Sequence, residues 1–158
     1  MEGDERVIDV LNDVLTAELT AINQYFVHAK MCADWGFGKL ADYTRDESID
    51  EMKHAESLID RILFLDGHPN LQRLGTLAIG ETVPEQLQAD LDLEYRAVER
   101  LRQGVVACTE AVDHTSRQLL EDILESEEEH IDWLEAQLSL IADVGLENYL
   151  SQQISTED

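Results

Sequence analysis

Gly67-His68-Pro69-Asn70-Leu71-Gln72-Arg73-Leu74-Gly75-Thr76-Leu77-Ala78-Ile79-Gly80-Glu81-Thr82 is the stretch on which the topology of this chain turns. Gly67 and Pro69 stop the helical spacing that runs up to it. At its far end, Thr82-Val83-Pro84-Glu85 reads as a capping box with an early proline, which opens a new helix. The sixteen residues 67–82, extended at about 3.3 Å each, reach roughly 50 Å. The helix expected before them, about 39–66, has some 28 residues and is roughly 42 Å long. The connection can therefore return along that whole helix and leave the next one parallel to it. Loops of this length are uncommon unless they have such a task.

Upstream, Val7, Val10, Leu11, Val14, Leu15, Leu19 and Ile22 keep a helical period. They predict a helix over about 5–35, ending at the glycines of Trp35-Gly36-Phe37-Gly38, with the second helix over 39–66 following at once. Downstream, a third helix is expected over 83–112, through Gly104. A fourth is expected from Thr115 or Ser116 to 144, where Gly145 stops it. A short fifth over 146–153 leaves a polar tail. The expected fold is all-α, one domain over 1–158: a four-helix bundle with one long crossover loop (67–82) and a short fifth C-terminal helix.

The two hairpins carry one pattern twice. Glu18, Glu51 and His54 become Glu94, Glu127 and His130 when 76 is added to each number. Apolar residues keep the same register: Leu11, Leu15, Ile22, Leu58, Ile62 and Leu65 map onto Leu87, Leu91, Val98, Leu134, Leu138 and Ile141. A duplicated helical hairpin explains both. One Glu-x-x-His pair alone would be an ordinary solvated stripe. Two pairs sharing an offset with two further glutamates make a ligand set. Glu18 lies 18 residues before the first turn, taken at residue 36, and Glu51 and His54 lie 15 and 18 after it. All six side chains can thus meet in mid-bundle.

Four carboxylates inside a core would be prohibitive without partners, and two divalent cations neutralise them. Two imidazoles and four carboxylates with open positions suit iron or manganese better than zinc in a closed four-coordinate site. Glu51 and Glu127 would bridge the metals, Glu18 and Glu94 would cap one each, and His54 and His130 would supply nitrogens. Two Fe²⁺ held about 3.5–4 Å apart could deliver electrons to one oxidant, O₂ or H₂O₂. Tyr25, seven residues after Glu18, shares its helix face. Its hydroxyl could bond a ligand carboxylate or lend an electron, or simply be satisfied within the core.

The charge of −24, from 35 acidic against 11 basic residues, argues against a nucleic-acid footprint and an anionic membrane surface. It favours attraction of cations, although solubility or salt adaptation gives the same excess. No apolar run approaches the roughly 20 residues of a membrane span, and Met1-Glu2-Gly3-Asp4-Glu5-Arg6 lacks the features of a signal peptide. A cytoplasmic protein is expected. Cys32 and Cys108 are expected as free buried thiols at opposite ends of the bundle.

Three segments resemble bacterioferritin: Asp50-Glu51-Met52-Lys53-His54-Ala55, Ala21-Ile22-Asn23-Gln24-Tyr25-Phe26 and His130-Ile131-Asp132-Trp133-Leu134-Glu135. The likeness runs from Val7 to about Gln153, and the second Glu-x-x-His separates this family from non-haem ferritins. The resemblance implies a ferritin-like bundle, a ferroxidase site in each subunit, a hollow shell of 24 subunits built from two-fold dimers, and iron mineral inside. It also implies a ferredoxin-type reductant for the stored iron. It further implies haem b shared between two subunits and held by a methionine from each, here Met52. Met52 follows Glu51 by about 100° and so points to the flank when Glu51 points inward. A two-fold axis would supply the second thioether. Without the resemblance, a methionine filling an apolar subunit contact is the plainer reading; with the motif at 50–55, haem is favoured.

Some family members bind iron on the inner surface with a histidine at position 46 and an aspartate at 50; here the pair is Asp46 and Asp50. Two aspartates one turn apart can hold a hard cation, or form a solvated stripe with Glu47. The rival function is a di-iron or di-manganese peroxide-reducing enzyme of the rubrerythrin or catalase type. The Cys-x-x-Cys pairs of a rubredoxin domain are missing from this sequence. DNA-binding mini-ferritins are excluded by their inter-subunit site and by the acidity here.

Overall fold

A computed structural model describes residues 1–154, and the polar tail beyond Ile154 lies outside the described residues. The chain forms α1 (Glu5–Asp34), α2 (Gly38–Phe64), α3 (Val83–Glu110), α4 (His114–Val144) and α5 (Leu146–Ser151). No helix among the described residues is long and apolar enough to cross a membrane.

The packing of the core reveals the topology. One apolar cluster joins Val7, Leu11 and Leu15 of α1 to Leu58 and Ile62 of α2, Leu101 and Cys108 of α3, and Leu120 and Ile123 of α4. The other joins Cys32, Leu40, Leu87, Leu91, Leu134 and Tyr149. The start of α1 thus meets the end of α2, the end of α3 and the start of α4. Each hairpin is antiparallel, and α2 runs parallel to α3, as the long connection requires. Cys32 and Cys108 are buried free thiols in opposite clusters. Between the clusters lies a polar waist.

The crossover loop is tied down on α1 by a polar stripe with a spacing of four. Asn12 Nδ2 donates to the carbonyl of His68 (3.1 Å), and Asn12 Oδ1 accepts from Asn70 N–H (2.8 Å). Thr16 Oγ1 accepts from Arg73 Nε, and Thr20 Oγ1 from Gly75 N–H. Gln24 Oε1 accepts from Ala78 N–H, and His28 Nε2 from Gly80 N–H, both at 3.0 Å. One residue per turn of α1 thereby satisfies backbone or side-chain groups of a segment with no ladder of its own.

Helix bounds differ from expectation by a residue or two, α2 ending at Phe64, α3 at Glu110 and α5 at Ser151, and three ends show how they are capped. The left-handed residue after α2 is Asp66 (φ 59°), not Gly67. Gly67 donates its N–H to the carbonyl of Ile62 (2.9 Å), closing a Schellman turn. Glycine is needed there for space, since a Cβ would stand 2.8 Å from Ile8 Cγ2. In the second place, α4 begins at His114, capped by Asp113, which accepts from Ser116 N–H (3.0 Å) and Ser116 Oγ–H (2.7 Å). Ser116, expected near the start, serves the cap from inside the first turn. In the third, the expected capping box is half formed: Thr82 Oγ1 accepts from Glu85 N–H, but the Glu85 carboxylate reaches Glu81 N–H rather than Thr82.

Gly36 (φ 88°) ends α1, and its repeat partner is Val112 (φ 57°). A β-branched residue in the left-handed region costs about 1–2 kcal/mol, and Val112 is 71% exposed, so it recovers little by packing. Val112→Gly should raise stability by about 1 kcal/mol after the entropy of glycine is subtracted, and with it the thermal unfolding midpoint. An unchanged or lower midpoint in a thermal melt would refute the strain.

Candidate metal centre

Each hairpin brings three acceptor side chains to the waist. Glu18 comes from α1, Glu51 and His54 from α2, Glu94 from α3, and Glu127 and His130 from α4. The i, i+3 spacing sets each Glu-x-x-His pair on one face a turn apart. All are buried except His54, which is partly so.

They form two overlapping groups. Glu18, Glu51, His54 and Glu127 offer ligand atoms all within 4.8 Å of one another, and so do Glu51, Glu94, Glu127 and His130. Glu51 and Glu127 belong to both. His54 Nδ1 stands 3.3 Å from Glu51 Oε2, 3.3 Å from Glu127 Oε1 and 3.6 Å from Glu18 Oε2. His130 Nδ1 stands 3.4 Å from Glu94 Oε1. These distances exceed good charge-assisted hydrogen bonds. Glu18 Oε1, Glu18 Oε2, Glu94 Oε2 and Glu127 Oε1 are buried with no hydrogen-bond partner.

Four buried oxygens without partners would each carry a desolvation cost unless a cation meets them. Protonation reports the same pressure. Burial raises the pKa of Glu18, Glu94 and Glu127, and carboxylate neighbours add to the shift at Glu94 and Glu127. At His54 burial acts to lower the pKa, but contacts with Glu127 and Glu18 outweigh it and raise the value to about 10. The waist is a cluster of negative charge short of counter-charge. Two divalent cations would balance four carboxylates and meet every orphaned oxygen.

Tyr25 is buried, and its hydroxyl donates to Glu94 Oε1. Burial, then Glu94, push the Tyr25 pKa well up, so the phenol keeps its proton and acts as a donor. Met52 is 48% exposed on α2, outside the waist, with Ile49 exposed one turn before it. Asp46 and Asp50 are exposed, and neither belongs to the two groups; Asp50 Oδ1 lies 4.0 Å from Lys53 Nζ.

A family model for the ferritin-like domain matches residues 8–144. Among relatives, a bacterioferritin of Mycobacterium leprae (strain TN) is 55% identical over 155 residues, covering 98% of both chains. The chain belongs to the bacterioferritin family. Bacterioferritin BfrA of Mycobacterium tuberculosis (strain ATCC 25618 / H37Rv) is 56% identical over 155 residues, again 98% of both chains. A bacterioferritin of Streptomyces coelicolor is 54% identical over 154 residues, covering 98% of this chain and 92% of the relative.

In this member of the bacterioferritin family, the waist holds residues that ligand spacing alone does not single out. Glu47 Oε2 lies 3.6 Å from His130 Nδ1. Burial and then Asp50 raise its pKa to about 7. Tyr43 stacks on Trp133 with ring centroids 3.6 Å apart, beside His130. The spacing of four between Glu47 and Glu51 was visible in the sequence. Its half-burial depends on how closely α2 meets α4 and was not.

Proposed function

We propose that this chain oxidises Fe²⁺ to Fe³⁺ at the waist of each subunit and stores the product as mineral inside a shell of 24 copies. The observation that carries this is the pair of overlapping groups sharing Glu51 and Glu127, together with four buried carboxylate oxygens that have no partner. Iron is the substrate. Glu18 with His54, and Glu94 with His130, each hold one Fe²⁺, while Glu51 and Glu127 span the two. Each iron gives up one electron. O₂ takes the pair with two protons to give H₂O₂, or H₂O₂ takes it with two protons to give two waters. Tyr25 fixes the Glu94 carboxylate by its hydrogen bond, and the apolar clusters on either side keep bulk water from the waist.

Assembly is supported by apolar side chains that the single chain leaves uncovered. On the crossover loop Leu71, Leu74, Leu77 and Ile79 are exposed, and on α1 and α2 so are Phe26, Ile49, Met52 and Leu63. Uncovered apolar surface of this kind fits contacts with other copies. Met52 fits haem b shared across a two-fold axis: a thioether on the outer flank of α2, free of the metal cluster, is duplicated by symmetry. A bound haem would supply one-electron chemistry there, and a ferredoxin-type reductant would return electrons to the stored iron. Asp46 and Asp50, exposed and outside both ligand groups, are candidates to hold iron on the inner surface.

Anaerobic Fe²⁺ titration followed by oxidant, with the visible spectrum recorded, tests the reading. The expected result is two Fe²⁺ per subunit oxidised in one fast phase, in a particle near about 430 kDa for 24 subunits of 17.9 kDa. Slow oxidation without that stoichiometry, or a stable monomer, would overturn it. Met52→Leu should remove the haem absorbance and Met52→His should shift it. An unchanged haem spectrum in both would assign the ligand to another residue.

A further inference from the structure

The Glu94 carboxylate must be delivered from α3 to a site whose other members stand on α1, α2 and α4. Where α1 faces α3 near the waist, the contacts are Ala21 and Tyr25 against Leu93. Apolar packing of this kind sets the separation of two helices, but it is less directional than a hydrogen bond and fixes their register less sharply. A slide of one residue moves a ligand by about 1.5 Å, whereas a metal site tolerates about 0.5 Å.

Register here is fixed by directional bonds to one buried carboxylate. Asp90 Oδ1 accepts from Gln24 Nε2 at 2.8 Å and from His28 Nδ1 at 2.9 Å. All three side chains are buried. Asp90 sits one turn before Glu94 on the same face of α3. Gln24 and His28 flank Tyr25, whose hydroxyl holds Glu94. Both ends of the Tyr25–Glu94 bond are therefore braced.

The crossover loop sets the polarity of the brace. Gly80 N–H donates to His28 Nε2, which leaves the imidazole proton on Nδ1 for Asp90. Ala78 N–H donates to Gln24 Oε1, which turns the amide nitrogen toward Asp90. Gly80 must be glycine for this approach, since a Cβ would stand 2.4 Å from Gln86 N. A loop whose evident task is to return the chain thus also orients two side chains of α1.

We infer that His28 and Asp90, oriented by the crossover loop, are positioning residues for the Glu94 half of the metal centre. Neither belongs to a ligand group, and both act through Tyr25 and Glu94. The inference rests on reading the waist as a two-metal site.

The test is Co²⁺ titration of the assembled metal-free protein, read by visible absorbance. Wild type should bind two Co²⁺ per subunit. Asp90→Leu, with the same branched skeleton but no acceptor, should weaken one of the two about tenfold or more and leave the other within about twofold. Glu94→Ala should give the same half-filled spectrum, identifying which half was lost. Asp90→Asn, which keeps an acceptor oxygen, should restore the second ion. Should Asp90→Leu fail to assemble, His28→Phe removes one of the two bonds and should weaken the same ion severalfold. Two ions bound as in wild type, or both weakened equally, would overturn the inference, the second result because it marks a merely structural role. Wild type that binds no pair of Co²⁺ would overturn the two-metal reading itself, and this inference with it.

Discussion

Glu127→Gln should slow Fe²⁺ oxidation at least about a hundredfold, some 3 kcal/mol of barrier, while making the metal-free protein more stable. The two effects have one cause. Glu127 belongs to both ligand groups, so an amide there weakens both metal positions at once. In the absence of metal the same carboxylate is a liability: burial and then Glu18 raise its pKa, and its Oε1 has no hydrogen-bond partner. The amide is nearly isosteric and carries no charge, so the melt of the metal-free variant should shift upward. Stopped-flow oxidation and a thermal melt check the two halves. A variant that loses activity and stability together would mean that Glu127 serves packing rather than metal. Opposite signs are the mark of a site held against its own electrostatics.

Such a site is affordable because of where it lies. Leu11, Leu15, Leu58 and Ile62 close one end of the bundle, and Leu40, Leu87, Leu91 and Leu134 close the other. The waist can remain polar because neither end depends on it. The same division explains what was legible beforehand. Apolar period and loop length are local quantities, so the four helices and the parallel α2–α3 relation could be read directly. The shared offset of 76 placed six residues at one level without any knowledge of packing, and the structure brings those six together.

What stayed hidden depends on neighbours distant in sequence. Asn12, Thr16, Thr20, Gln24 and His28 form a visible stripe with a spacing of four, but a polar helical stripe ordinarily faces water. Here it faces the crossover loop, whose backbone needs partners. Asp90 gives no sign in sequence that Gln24 and His28 will reach it across α1 and α3. Gly67 stops the helix as expected, but the reason lay out of view. Glycine after a helix suggests a left-handed turn, yet Asp66 takes that conformation, and Gly67 is constrained by the side chain of Ile8 from another helix.

Removal of metal should make thermal stability fall as pH rises from about 6.5 to about 10, and a redox-inert divalent ion such as Zn²⁺ should flatten that slope. The pKa of His54 is raised from 6.5 to about 10: burial opposes the shift, and Glu127 and Glu18 prevail. The folded chain therefore holds a proton that the unfolded chain releases. That contribution is complete below pH 6.5 and lost as pH climbs through about 10. Glu18, Glu94 and Glu127, raised by burial, act with the same sign, their contribution being complete below about 4.5 and lost as pH rises through their raised values. Glu47, raised to about 7 by burial and then Asp50, adds to the fall near neutrality. Bound metal replaces these protons as the counter-charge, so the loaded protein no longer needs them. At a thousandfold excess over Kd one site contributes about 4 kcal/mol. Melts at pH 6.5, 8 and 9.5, with and without Zn²⁺, should diverge as pH rises. Parallel curves would show that the waist carries no such proton-for-metal exchange. Metal-free Glu127→Gln should slope less than wild type, because His54 has lost the carboxylate partner that chiefly raises its pKa.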